Sequence, residues 1–128
     1  MYSGVEGVTM SLLNLALDTA SLRQKAHANN IANANVMGYK PVQVNFESQL
    51  QEVRQTLQEG GAVNLSALNG ISPQLEEISA GYQGPQGIEI DSEIAKLSEN
   101  AVQYQALIKG LNKELSILSM AISEGKYK

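Results

Sequence analysis

From Ile90 to Ile122 the apolar residues Ile90, Ile94, Leu97, Ala101, Tyr104, Ile108, Leu111, Leu115, Leu118 and Ile122 recur at alternating spacings of four and three. Between them lie mainly Ser, Glu, Lys, Gln and Asn. A half-buried strand would repeat every second residue. Four-three spacing instead predicts a helix with one narrow apolar seam, as in a coiled coil. Asp91 sits where its side chain can cap the first turn, and Gly125 lies where the helix should stop. A helix over about 92–124 is roughly 50 Å long at ~1.5 Å per residue. In a chain of 128 residues such a rod belongs to a bundle or to an extended assembly.

A second long helix is expected over 9–34, after a loose start at Met1–Val8. It carries two stripes. One is Leu12, Leu15, Thr19, Leu22 and Ala26; the other is Leu13, Ala16, Leu17, Ala20, Ala28 and Ile31, broken at Gln24. They lie about 100° apart around the helix by the 3.6-residue period. Two stripes imply two sets of neighbours. Periodicity alone fits equally a helix buried in a bundle core and one that packs in cis on one side and on another subunit on the other. The Asn cluster 29, 30, 33 and 35, then Gly38 and Pro41, makes a firm stop and turn.

Val42, Val44 and Phe46 alternate as in a short extended segment. Phe46, Leu50, Val53 and Leu57 then repeat at helical spacing, which predicts a short helix ended by Gly60 and Gly61. From Ala62 to Gly87 the pattern weakens, and a helical turn is expected near Pro73–Ser79. The expected architecture is mainly α. Long N- and C-terminal helices pair as an antiparallel coiled-coil hairpin in a single domain, and residues 35–91 form a smaller irregular segment with a short helix. The expected register sets Leu12, Leu15 and Leu22 against Leu111, Leu115 and Leu118. A lone two-helix hairpin is marginal, because ordering this much backbone offsets most of what one seam contributes. The seam residues therefore double as candidate assembly residues.

The sequence carries little chemistry. His27 is the single histidine and there is no Cys, so neither a metal set nor thiolate catalysis is in view. It reads as a partly exposed helix residue. Glu76-Glu77 and Glu89-Asp91-Glu93 read as solvated carboxylates, the latter group also as favourable charge near a helix start. Net charge is −4 and the nine Lys and Arg are scattered, which argues against nucleic acid. No window is long and apolar enough to span a membrane, and the start lacks the pattern of a cleaved signal. An enzyme is not expected, nor a cofactor.

The run Ala28-Asn29-Asn30-Ile31-Ala32-Asn33-Ala34-Asn35-Val36-Met37-Gly38-Tyr39-Lys40 closely resembles the signature of bacterial flagellar axial proteins, those of rod and hook. Asn30, Ile31, Ala32, Asn33, Gly38 and Tyr39 carry it. Val44 to Leu50, Glu99 to Ala106 and the short length look like the proximal-rod members of that family. Such proteins usually have Thr-Pro or Thr-Glu where this chain has Val36-Met37. The resemblance implies a structural, torque-transmitting subunit of the basal-body rod in the periplasm. It further implies export through the flagellar type III apparatus without a cleaved signal. The implied partners are copies of itself, the rod protein FlgC, the adaptor FliE and the export gate. Phe46 and Leu50 resemble the gate-recognition motif of such substrates, though a buried helix face explains the pair as well. A cytoplasmic helical adaptor or secretion chaperone is the alternative.

Overall fold

The computed structural model describes residues 5–61, 68–78 and 90–126. Two long helices dominate it: α1, Val5–Ala32, and α3, Ile90–Lys126. Between them in sequence come strand β1 (Val42–Asn45), helix α2 (Glu47–Gln58) and strand β2 (Gln74–Glu77). α1 is the middle layer. α3 packs along one side of it, and the β1–β2 ribbon packs on another. The two stripes of α1 therefore both have partners within the chain. Leu15 and Leu22 of the first stripe pack on a core of Ala26, Val44 and Phe46, with Val42, Leu50 and Ile71 around it. Thr19, on the same stripe, is buried and satisfies its hydroxyl by donating to the Leu15 carbonyl at 2.8 Å.

The turn after α1 is built by side chains as much as by backbone. Gly38 takes a φ of +82°, a conformation that a side chain disfavours. Asn30 is 1% exposed and grips β1 twice: its Nδ2 donates to the Val42 carbonyl and its Oδ1 accepts from the Val42 N–H, both at 2.9 Å. The same Oδ1 accepts from the Tyr39 hydroxyl at 3.1 Å. One amide thus replaces a neighbouring strand for Val42 and ties the turn to α1. Val36 and Met37, the departure from the axial pattern, are exposed and make no demand on this core.

β1 and β2 pair antiparallel, Val42 opposite Glu77 and Asn45 opposite Gln74. Glu76 accepts from Gln43 Nε2 at 3.0 Å and Asn45 Nδ2 at 3.2 Å, and the Ile78 N–H reaches the Pro41 carbonyl at 2.8 Å. The Gln49 amide of α2 donates from Nε2 to the Ser72 carbonyl at 2.9 Å and accepts at Oε1 from the Ser72 N–H at 3.0 Å. Glu47 opens α2 and is hydrogen-bonded by Arg23 of α1. Burial pushes its carboxyl up, but backbone N–H groups at the helix start and the Arg23 guanidinium outweigh this and hold it below the ordinary range.

The expected hairpin of long terminal helices is present, and three details differ. α1 begins at Val5, inside the segment expected to be loose; Gly7 and Val8 are partly covered there, and packing outweighs the ~1 kcal/mol helical cost of Gly. The turn of helix expected near Pro73–Ser79 is strand β2, because its backbone finds β1, a partner that no local pattern announces. α3 runs two residues beyond the expected span at each end. The expected behaviour of Leu57's side chain, of 62–67 and of Glu89 falls outside the described residues.

Replacing Asn30 by Ala should leave the part-buried Val42 N–H and carbonyl without their side-chain partner. The expected loss is about 2–4 kcal/mol of unfolding free energy, read by denaturant melts. Asn35→Ala, at an exposed position, should change stability by no more than about 0.5 kcal/mol.

Candidate assembly surface

The α1–α3 pair is held in antiparallel register by polar contacts. His27 Nδ1 lies 2.8 Å from Glu93 Oε2. Seven residues along α3, Asn100 Nδ2 donates to the Ala20 carbonyl at 2.7 Å and to Gln24 Oε1 at 2.8 Å. Further on, a Cβ added to Gly110 would sit 3.7 Å from Leu13 Cδ2. This register corrects the expected one. Leu22 lies level with the region of Asn100, far from Leu115 and Leu118, and Leu15 and Leu22 serve the β1–α2 side instead.

These contacts also set the rotation of α3. The row turned most directly to α1 is Glu93, Asn100, Leu107, Glu114 and Ala121, each seven residues from the next and each buried or half-buried. The four-three seam is therefore shared. Its members Leu97, Leu111 and Leu118 are half-buried, as are Ala101 and Ile108. Ile94, Leu115 and Ile122 are 46%, 45% and 57% exposed, and Ile90 and Tyr104 are exposed too. Leu12 of α1 joins this exposed set. Half of the strongest apolar pattern in the chain thus faces solvent.

The row beyond it on the same flank starts at Asp91 and ends at Lys126, and between them Ser98, Gln105, Asn112 and Ser119 are all exposed and uncharged. Charged residues of α3 such as Lys96, Glu99, Lys109, Lys113 and Glu124 fall in other rows of the helix by the 3.6-residue period. A solvated coiled-coil flank ordinarily carries charges beside its seam. Val102, Ile117 and Met120 form a second, shorter exposed apolar set on the other side of α3.

The helices also leave clefts. One, of about 420 Å³, is lined by Ala16, Thr19, Ala20, Phe46, Ala106 and Leu107 among others. A smaller one, of about 260 Å³, opens on the flank of Ala101, Tyr104 and Gln105. Small side chains on both helices keep the pair from sealing around Ala20.

Of the expected motif residues, Asn30 and Tyr39 meet directly. Ile31 is half-buried and Ala32 exposed, while Asn33 Nδ2 donates to the Asn29 carbonyl at 2.8 Å. Phe46 is buried and Leu50 partly buried in the same core cluster. Glu93 does lie in the first turn of α3, but it is buried against α1 rather than solvated, and its partner is His27, a partly exposed helix residue as expected. The polar contacts at Glu93 and Asn100 went unnoticed in the sequence. The signal was available: polar residues recur in one seven-residue row beside an apolar seam. Among the described residues, no group of His, Asp or Glu is placed to hold a metal ion, and no helix is long and apolar enough to cross a membrane.

A long helical hairpin with an uncovered flank, closed by an Asn-Gly-Tyr turn, has the form of a structural subunit. Comparison with known proteins agrees. Residues 14–40 match the family model described as flagella basal body rod protein. Along its length the chain is 28% identical to the flagellar basal body rod protein FlgB of Bacillus subtilis strain 168, covering 98% of both chains. It is 27% identical to FlgB of Aeromonas hydrophila over 84% of this chain and 86% of that protein. For FlgB of Escherichia coli K12 the identity is 24%, over 86% and 89%. In these comparisons the chain is similar to structural proteins of the flagellar basal-body rod. Within that class its full-length similarity is to FlgB.

Gly110 sits in mid-helix with room for a methyl group against Leu13. Gly110→Ala should therefore raise the stability of the free chain by up to about 1 kcal/mol, seen as a higher melting temperature. A loss of stability would show that α1 and α3 approach more closely there than the structure has them.

Proposed function

We propose that this chain builds the basal-body rod by burying the outward flank of α3 against helices of neighbouring subunits. The observation that carries the reading is the row Ile94, Ala101, Ile108, Leu115 and Ile122 with its uncharged border of Ser98, Gln105, Asn112 and Ser119. In water, an apolar ridge whose rim is uncharged along its middle costs solubility, and its exposed members add little to the cis fold. Against another helix it buries apolar area at roughly 25 cal/mol per Å², and knobs from one helix enter holes on the next. The neighbours are copies of this chain and other rod proteins such as FlgC, with the adaptor FliE and the export gate at the base. The assembled tube transmits torque; no step of catalysis is involved.

The same reading has the chain exported through the flagellar type III apparatus without a cleaved signal, to a final position in the periplasmic rod. Phe46 and Leu50 are then the residues that the gate reads. The fold buries Phe46, so recognition through it requires a chain that has not yet closed its core. Resemblance to the axial family supports this, and the full-length likeness to FlgB proteins supports the rod.

Leu115→Asp tests the surface. Leu115 is 45% exposed in the single chain, so the variant should melt within about 1 kcal/mol of the parent. It should nevertheless fail to enter basal bodies and abolish swimming. Wild-type association of the purified protein, followed by sedimentation, should change little between low and high salt, because the flank holds charges only at its two ends. Normal motility of the variant, or association that salt dissolves, would contradict the proposal. Recovery of the protein only from the cytoplasm, never with intact basal bodies, would instead favour a helical adaptor or secretion chaperone.

A further inference from the structure

The outward flank of α3 has a property that the rod reading does not use: it is close to symmetric about its own centre. In its apolar row, Ile94 and Ile122 stand fourteen residues to either side of Ile108, and Ala101 and Leu115 stand seven. The exposed neutral row turns about nearly the same point, with Gln105 and Asn112 inside and Ser98 and Ser119 outside. The two ends of that row differ in sign, Asp91 in the first turn of the helix and Lys126 in the last.

We propose that two copies of the free chain pair antiparallel through this flank, about a two-fold axis at Ile108. In such a contact each position meets its mirror position on the other copy. Ile94 of one copy meets Ile122 of the other, and Ile108 meets itself. The one unequal apolar pair is Ala101 with Leu115. Beside Ala101 lies the cleft of about 260 Å³ that Tyr104 and Gln105 also line, and Leu115 is exposed. The larger side chain of each copy thus enters the space left by the smaller one of the other, a knob in a hole. Direction follows from the ends. Parallel pairing would lay Asp91 beside Asp91 and the last turn, with Lys126, beside its own copy. Antiparallel pairing brings Asp91 level with the last turn of the other copy, unlike charge to unlike. Exposed charges of this kind add little affinity, but they select the orientation. A two-fold contact closes on itself, whereas an open tube grows through contacts between unlike patches. The pair is therefore a resting state that keeps the flank out of water and must part before the flank can serve in a tube. It needs only the free chain, so its failure would leave the rod reading standing.

Disulfide cross-linking of the full chain tests the pair, because no native Cys competes. A disulfide needs Cα atoms within about 7 Å of each other, so only a position on the axis can bridge to its own copy. Under mild oxidation, Ile108→Cys should give a covalent dimer by itself. Ile94→Cys and Ile122→Cys should each stay monomeric when alone, and their equimolar mixture should cross-link several-fold more than either. Ile108 is half-buried; if its variant does not fold, the mixture of the two exposed variants carries the test. A parallel pair would instead bridge each of the three variants to itself. That result, or a mixture that cross-links no more than its components, would overturn the proposal. So would a wild-type chain that sediments as a monomer at every concentration at which it is soluble.

Discussion

The rotation of α3 about its own axis is fixed by polar atoms, and most of the molecule's behaviour follows from that. Glu93 reaches His27, and Asn100 reaches the Ala20 carbonyl and Gln24. Each is buried, so each must keep its partner or incur a desolvation cost. An apolar seam tolerates sliding and rolling, because one leucine contact resembles another. A buried amide bound to one carbonyl does not. The same role is known for single polar residues in coiled-coil seams, which set register at some expense of stability. Here the consequence is directional. Holding the Glu93–Asn100 row against α1 turns Ile94, Leu115 and Ile122 out of the hairpin.

The other side of α1 is organised by the same kind of contact on a smaller scale. Asn30 supplies Val42 with the donor and acceptor of an absent strand, and Tyr39 completes its acceptor. Gln49 does likewise for Ser72. A ribbon of two four-residue strands is not stable alone. Side-chain amides from the helices and the Phe46 core hold it in place. With α1 thus covered on its Leu15–Leu22 side and partly on its Ala20 side, the large uncovered apolar surface falls mainly to α3. The division of labour is physical: one helix completes the monomer and the other carries the surface that we propose meets neighbours.

Much of this was legible in the residues. Four-three spacing from Ile90 onward and the paired stripes of α1 foretold the two long helices. The Asn-rich stop with Gly38 foretold the turn. What local pattern could not supply was pairing. Nothing in Gln74–Glu77 distinguishes a strand from a turn until β1 is beside it. Nor does spacing say which edge of a broad seam faces inward. The seam includes Ile94 and Leu115 as surely as Leu97 and Leu111, and only Glu93 and Asn100, the polar neighbours, decide between them. The Asn cluster was legible as a helix stop, while the specific duty of Asn30 depends on Val42, which local chemistry does not reveal.

The central claim is that the flank of α3 bearing Leu115 is open in the single chain and closed in the assembled rod. Because the chain has no native cysteine, thiol labelling reads this directly. A thiol placed by Leu115→Cys should react rapidly with a soluble maleimide in the dilute monomer and slowly after assembly. One placed by Ala26→Cys, inside the core, should be slow in both. Slow labelling at position 115 in the monomer, or equal rates before and after assembly, would contradict the account.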